Sequence, residues 1–125
     1  MHFVFTDKAP KPIGPYSQAV KHNDTLYISG QIGINPSTGH LIREDIQAET
    51  RQVLMNIHAI LKEESLQKEH IIKCSIFISD MEQFSQINEI YSQFFGDHSP
   101  ARETVQVSKL PAGANIEISA IAAVI

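Results

Sequence analysis

Three polar side chains stand where the surrounding residue pattern is apolar. Arg102 follows Ser99-Pro100-Ala101 and opens a stretch whose apolar row is Val105 and Val107. Its guanidinium is a planar two-pronged donor matched to a carboxylate. An ion pair with a neighbouring acid at an interface is the plainer alternative. Glu117 lies between Ile116 and Ile118, and a carboxyl group among so much aliphatic chain is a candidate for a raised pKa and for proton transfer. Its plainer alternative is to pair with Arg102. Asn88 lies four residues after Phe84, three before Tyr91 and seven before Phe95. It therefore interrupts an apolar helical stripe and must find partners, because an unpaired buried amide costs roughly 1–3 kcal/mol. Tying down a neighbouring loop would satisfy it.

Other constellations are weak. The six histidines, His2, His22, His40, His58, His70 and His98, show no metal-ligand spacing, so no metal site is expected. Ser17 and Ser29 lie in no nucleophile-elbow sequence. Gly30-Gln31-Ile32-Gly33 leads into a proline-containing loop and not a helix, so it is no phosphate loop. No basic stripe with interleaved aromatics suggests RNA. The single cysteine, Cys74, excludes an internal disulfide framework.

The elements that must carry these residues follow from periodicity. Pro10, Pro12, Gly14 and Pro15 make a stiff extended connection. Tyr16–Lys21 and Leu26–Gly30 read as strands around a turn at Asn23-Asp24. Ile46, Val53, Leu54, Ile57, Ile60 and Leu61 repeat at helical spacing between Asp45, a capping residue, and about Glu64. Ile71–Ser79 is a strand in which Ile72, Cys74, Ile76 and Ile78 share one face, which makes Cys74 a buried, inert thiol. Asp80 and Gln83 suggest a capping box for a second helix that runs to Phe95 and ends at Gly96. Strands at Glu103–Val107 and Asn115–Val124 follow, joined across Leu110-Pro111-Ala112-Gly113, with a further strand at His2–Phe5.

The order β-β-α-β-α-β-β indicates an α+β domain, and 125 residues make a single domain, 1–125. The chain is 42% hydrophobic and 19% charged, with a net charge of −4, a globular composition without a pull toward nucleic acid as main ligand or toward a membrane. No apolar run reaches the ~18 residues of a membrane span, and no secretory signal is visible, so a cytoplasmic location is expected. Two helices cover one sheet face only. Ile71, Phe77, Ile121, Ala123 and Ile125 fall on the other by parity, which calls for burial against another copy of the chain. Parity also puts Arg102, Thr104, Gln106 and Glu117 on that opposite face. If the last two strands form a hairpin with Val107 opposite Ile116, Arg102 stands about four residues, on the order of 13 Å, from Glu117. That is too far for a salt bridge.

With these residues in view, the chain resembles the RidA/YjgF family of reactive-intermediate deaminases over nearly its whole length. Ile13-Gly14-Pro15-Tyr16-Ser17-Gln18-Ala19 looks like the N-terminal signature, and Ser29-Gly30-Gln31 is similar to the second block. Asn88 with Tyr91, Phe94 and Phe95 matches the helix block, Pro100-Ala101-Arg102 the arginine block, and Leu110-Pro111 with Ile116-Glu117-Ile118 the C-terminal one. The resemblance implies a chorismate-mutase-like fold, a mixed six-stranded sheet with two helices on one face. It also implies a homotrimer with a central barrel and active-site clefts between subunits.

The implied reaction is cofactor-independent hydrolysis of 2-enamino and 2-imino acids, such as 2-aminoacrylate and 2-iminobutanoate, to 2-keto acids and ammonia. In it Arg102 would bind the substrate carboxylate and Glu117 activate water. By the same resemblance Tyr16 lines the pocket, Ser29, Gly30 and the backbone of Thr104 supply hydrogen bonds, and Asn88 supports the pocket wall. The chain departs from the family pattern at Thr104, where many deaminating members carry cysteine. It departs also at Gly33 (often proline), at Ser119 (often acidic), and in a shorter segment between Phe95 and Pro100. Rival readings are a non-catalytic sensor that binds a small keto or amino acid in the same clefts and, ranked lower, an endoribonuclease or translation inhibitor. A chorismate-type rearrangement ranks last, because only Arg102 is at hand to meet a dianion.

Overall fold

The computed structural model describes residues 1–125. Six strands form one sheet: β1 (His2–Val4), β2 (Ala19–His22), β3 (Thr25–Ile32), β4 (Ile71–Ile78), β5 (Ala101–Gln106) and β6 (Ile116–Ala123). Their spatial order is β1-β2-β3-β6-β4-β5. All neighbours are antiparallel except β4 and β5, which run parallel. Two helices, α1 (Ile46–Glu63) and α2 (Phe84–Phe95), supply the second layer.

Asp45 caps α1 by accepting the Ala48 N–H at 2.8 Å, which satisfies one of the free donors of the first turn. The expected capping box at Asp80 resolves differently. Asp80 accepts from Glu82 N at 3.0 Å and caps a short 3₁₀ turn, Met81–Gln83, from which α2 continues. Gly96 ends α2 with φ 62°, a left-handed conformation that favours glycine. The core lies between helices and sheet: Val53, Leu54, Ile57, Ile60 and Leu61 of α1 meet Cys74, Ile76 and Ile78 of β4 and Ile116 and Ile118 of β6. No helix is long and apolar enough to cross a membrane.

Three expectations need correction. The second strand begins at Ala19 and not Tyr16, because Tyr16-Ser17-Gln18 continues the proline-rich connection. In β4 it is Ile71 that is buried, at 0% exposure, whereas Ile72 is 53% exposed. A register shift between Ile71 and Lys73 reverses the alternation there, as a bulge does. Most consequentially, β5 and β6 do not form a hairpin. β4 lies between them, paired with β5 through Cys74↔Arg102 and Ile76↔Thr104, and with β6 through Phe77↔Glu117.

The helix-free face carries an apolar row that runs across strands from Phe3 to Val20, Tyr27 and Ile121 in register. Phe77, Val105 and Ala123 lie on the same face. Phe3, Tyr27 and Val105 are exposed in the single chain. Phe77, Ile121 and Ala123 are where parity put them; Ile71 belongs to the core, and Ile125 lies beyond the end of β6.

Candidate functional site

Arg102 faces the helices. Its strand partner is Cys74, a core residue, and paired residues project to the same side of a sheet. The expectation that Arg102, Thr104 and Gln106 lie on the helix-free face is therefore wrong, because Val105, taken as part of the inward apolar row, is exposed beside Phe77 on the helix-free face. Arg102 Nη1 donates to Asn88 Oδ1 at 2.8 Å. The guanidinium carbon stands 4.9 Å from the centre of the Tyr91 ring and 5.6 Å from that of Phe84, a stacked cradle that suits a delocalised cation. Asn88 thus holds the arginine itself.

No carboxylate pairs with Arg102. The chain's ion pairs are His2–Glu64, Lys21–Glu64 and Lys73–Glu103. The partly buried cation looks into a cavity of about 380 Å³ lined by Asn88, Tyr91, Ser92, His98 and Ser99 among others. His98 closes one side, with Nε2 2.7 Å from the Ile71 carbonyl. A carbonyl only accepts, so Nε2 carries the proton. Beneath Arg102 the Tyr91 hydroxyl, its pKa pushed up by burial, lies beside the Cys74 thiol. Burial raises that thiol too. The Thr104 hydroxyl is buried without a partner.

Glu117 belongs to the other face. It pairs with Phe77 on one side and Ile32 on the other, and burial alone holds its carboxyl above the ordinary glutamate range. Between Ile28 and Gln31 the β3–β6 register shifts, leaving Ser29 and Gly30 as a bulge beside Glu117. A Cβ on Gly30 would stand 2.2 Å from Glu117 Oε2, so only glycine leaves the carboxyl its place. Ser29 Oγ donates to the Ser17 carbonyl at 2.6 Å, and Ser29 N donates to the Gln18 carbonyl at 2.9 Å. These bonds hold the Tyr16–Gln18 segment against the bulge. Tyr16 remains exposed, its hydroxyl accepting the Ile13 N–H at 3.3 Å.

The seven sequence candidates therefore form two groups. Arg102, Asn88 and Thr104 lie on the helix side; Glu117, Gly30 and Ser29 gather at the bulge on the other, with exposed Tyr16 in the segment bonded to Ser29. Two strand spacings and three residues separate Arg102 from Glu117 along the sheet, on the order of 14 Å, with the sheet itself between their side chains. The distance argued from a hairpin survives for a different reason.

Three buried polar residues, Gln18, Glu49 and Asn56, are not among the sequence candidates. Gln18 is buried; its Nε2 donates to the carbonyls of Thr6, Ala9 and Pro10, and its Oε1 accepts from Thr6 N. Glu49 and Asn56, at i+3 from Ile46 and from Val53, face inward on α1. Their spacing is the same signal that singled out Asn88.

The geometry can be set beside known proteins. The family model described as Endoribonuclease L-PSP matches residues 6–124. A RutC family protein of Pyrococcus horikoshii is 50% identical over 119 residues, covering 95% of this chain and 94% of the relative. The human 2-iminobutanoate/2-iminopropanoate deaminase is 44% identical, covering 95% and 87%. Among solved structures, Escherichia coli TdcF with bound serine superposes with a TM-score of 0.94 at 41% identity, covering 98% of each chain. The E. coli YjgF gene product gives 0.94 at 39%, covering 98% of each. With its fold, its five sequence blocks and these relatives in agreement, the chain belongs to the YjgF/RidA family.

Proposed function

We propose that the protein hydrolyses 2-imino acids to 2-keto acids and ammonia, in clefts between the subunits of a homotrimer. One observation carries this reading: a cradled guanidinium and a half-buried carboxyl, each without a counter-charge in its own chain, on opposite faces of one sheet. A charge withheld from water and left unpaired is costly. Docking the helix-free face of one subunit against the Arg102 edge of the next would join the two halves around a small anion.

In such a cleft Arg102 binds the substrate carboxylate through its free N–H groups, which fixes the imine carbon. Glu117, ionised, takes a proton from water as the oxygen attacks the carbon of the protonated imine and the C=N electron pair moves to nitrogen. The product is a neutral carbinolamine. Glu117 then returns the proton to nitrogen, the C–N bond breaks with its electron pair leaving on ammonia, and the hydroxyl proton passes to the Glu117 carboxylate as the keto group forms. A raised pKa brings the base nearer to working pH. An enamine enters the same path after protonation at carbon. Tyr16 at the rim, Ser29 and Gly30 beside the carboxyl, and the Thr104 backbone beside Arg102 would complete the hydrogen bonds around substrate and water.

Kinship with the human deaminase supports the chemistry, and a serine-bound neighbour supports an amino-acid-sized ligand. The test is a coupled assay. A pyridoxal-phosphate threonine dehydratase generates the imine, and semicarbazide competes for it with the added protein. Arg102→Ala should lower kcat/KM at least 100-fold, about 3 kcal/mol. Arg102→Lys should lose roughly tenfold or more, because the charge remains but the fork is gone. Wild type without effect on imine loss, although folded and assembled, would turn the reading toward a sensor.

A further inference from the structure

α1 carries three polar side chains into the core: Glu49, Thr50 and Asn56, each at most 1% exposed. Thr50 satisfies itself within the helix, donating to the Ile46 carbonyl. The other two reach the sheet at one place. Asn56 Nδ2 donates to the carbonyls of Ile32 at 3.1 Å and Ile34 at 3.0 Å, while its Oδ1 accepts from Gln52. Glu49 Oε2 accepts the backbone N–H of Asn115 at 2.7 Å, and Oε1 accepts Asn115 Nδ2 at 2.9 Å.

Ile32 is the residue paired with Glu117 across β3 and β6, and Asn115 stands two residues before Glu117. α1 thus grips both strands from behind where Gly30 and Glu117 meet on the other face. Gly33 completes the arrangement, since a Cβ there would lie 2.8 Å from Glu49 Cγ. What Glu49 adds over an apolar side chain is the two-oxygen hold on Asn115, one oxygen on the backbone N–H and one on the side-chain amide.

We propose that Glu49 is a positioning residue for Glu117: by clamping the first turn into β6 it keeps the Glu117 carboxyl seated in the notch over Gly30. The bulge at Ser29-Gly30 interrupts the β3–β6 ladder beside Glu117; β4 holds the other edge of β6 through Phe77↔Glu117 and through Ser79 N donating to the Asn115 carbonyl, so the Glu49 clamp on Asn115 acts on the weakened β3 side. Within its own chain no charged side chain sits against Glu117, and burial is what raises its carboxyl. A carboxyl that slides out of the notch is rehydrated, which makes its titration a direct measure of its seat.

This role for Glu49 rests on the proposed role of Glu117, and the test includes one arm that needs no turnover. The Glu117 carboxyl is titrated by carbon NMR, its signal identified by loss in Glu117→Gln, and kcat and KM are measured on the dehydratase-generated imine. In Glu49→Ala the Glu117 midpoint should fall toward the ordinary glutamate value, and kcat should drop roughly 10- to 100-fold with KM within about twofold. Asn115→Ala at an exposed site keeps the backbone bond to Oε2 and should move both readouts the same way by less. Glu49→Gln should restore both, since its amide oxygen still accepts the Asn115 N–H and its NH₂ can donate to Asn115 Oδ1 once that amide turns over.

A folded Glu49→Ala, or Asn115→Ala if the former does not fold, with wild-type Glu117 titration and kcat would overturn the proposal. A change in KM alone, or a Glu49→Gln as impaired as the alanine variant, would overturn it too. If wild type leaves the imine untouched, the deaminase reading fails and the titration arm still decides the clamp.

Discussion

Arg102 and Glu117 are charges of opposite sign that never meet within one chain, and each leaves a separate mark on behaviour. For Glu117 the mark is a pH dependence of stability. Its carboxyl titrates above the ordinary value because burial disfavours the anion, so the folded state prefers it protonated. Its favourable contribution is complete below the unfolded pKa of about 4.3 and is lost as pH rises through the raised folded value. Glu117→Gln imitates the protonated form at every pH. The variant should melt with wild type at pH 4 and above wild type at pH 7, by calorimetry. Equal melting temperatures across that range would show that the carboxyl is fully hydrated.

Among the elements, the bulged end of β3 and the first turn into β6 decide how much chemistry the sheet can carry. Gly30→Ala separates stability from function. The three atoms nearest the new Cβ all belong to the Glu117 side chain. The fold should therefore tolerate it, with a melting temperature within about 2 °C of wild type, roughly 0.5 kcal/mol or less. Turnover should fall at least tenfold because the carboxyl is displaced. A variant that melts early and turns over normally would place the cost in the backbone instead.

This is also the scale at which sequence reading succeeded and failed. Helix positions were legible, since Asp45, Gly96 and the apolar spacing of α1 and α2 act locally. Strand positions were legible to within a few residues. Strand order was not: parallel pairing of β5 with β4 is a long-range choice, and no residue in Leu110–Gly113 distinguishes a hairpin from a crossover to the far side of β4. Arg102 went to the wrong face for a separate reason, since Val105 was read as core-facing and is exposed on the helix-free side; it stayed a candidate because its oddity lies in residue type and not in neighbours. Ile72 failed for a smaller reason, a bulge that alternation cannot register. Glu49 and Asn56 were legible by spacing, as Asn88 was. Their partners, Asn115 and the carbonyls of Ile32 and Ile34, were beyond reach without the fold.

At the scale of the whole molecule, the apolar row Phe3, Val20, Tyr27 and Ile121 needs cover, and the two half-sites need each other. Under the proposed assembly one experiment addresses both. Arg102→Ala and Glu117→Gln chains, each inactive alone, are unfolded together in equal amounts and refolded. With random mixing about one cleft in four combines an intact arginine with an intact glutamate from neighbouring subunits, so about a quarter of wild-type turnover should return. No recovery, with mixed oligomers present by mass spectrometry, would mean that each cleft draws both residues from one chain. Ile121→Asp should reduce the light-scattering mass from near three times 13.9 kDa to that of one chain.

The sheet that separates the two groups also separates the segments that shape them. Gly96, His98, Ser99 and Pro100 border the Arg102 cavity on the helix side of the sheet, whereas Glu117 belongs to the other face. Insertions or deletions in that segment can widen or narrow the space beside the arginine while the carboxyl, its bulge and the α1 clamp behind them stay as they are. Under the proposed function, ligand range and proton chemistry would be separately heritable in this fold: a lineage could acquire new ligands by editing a surface loop without re-evolving the group that handles the proton.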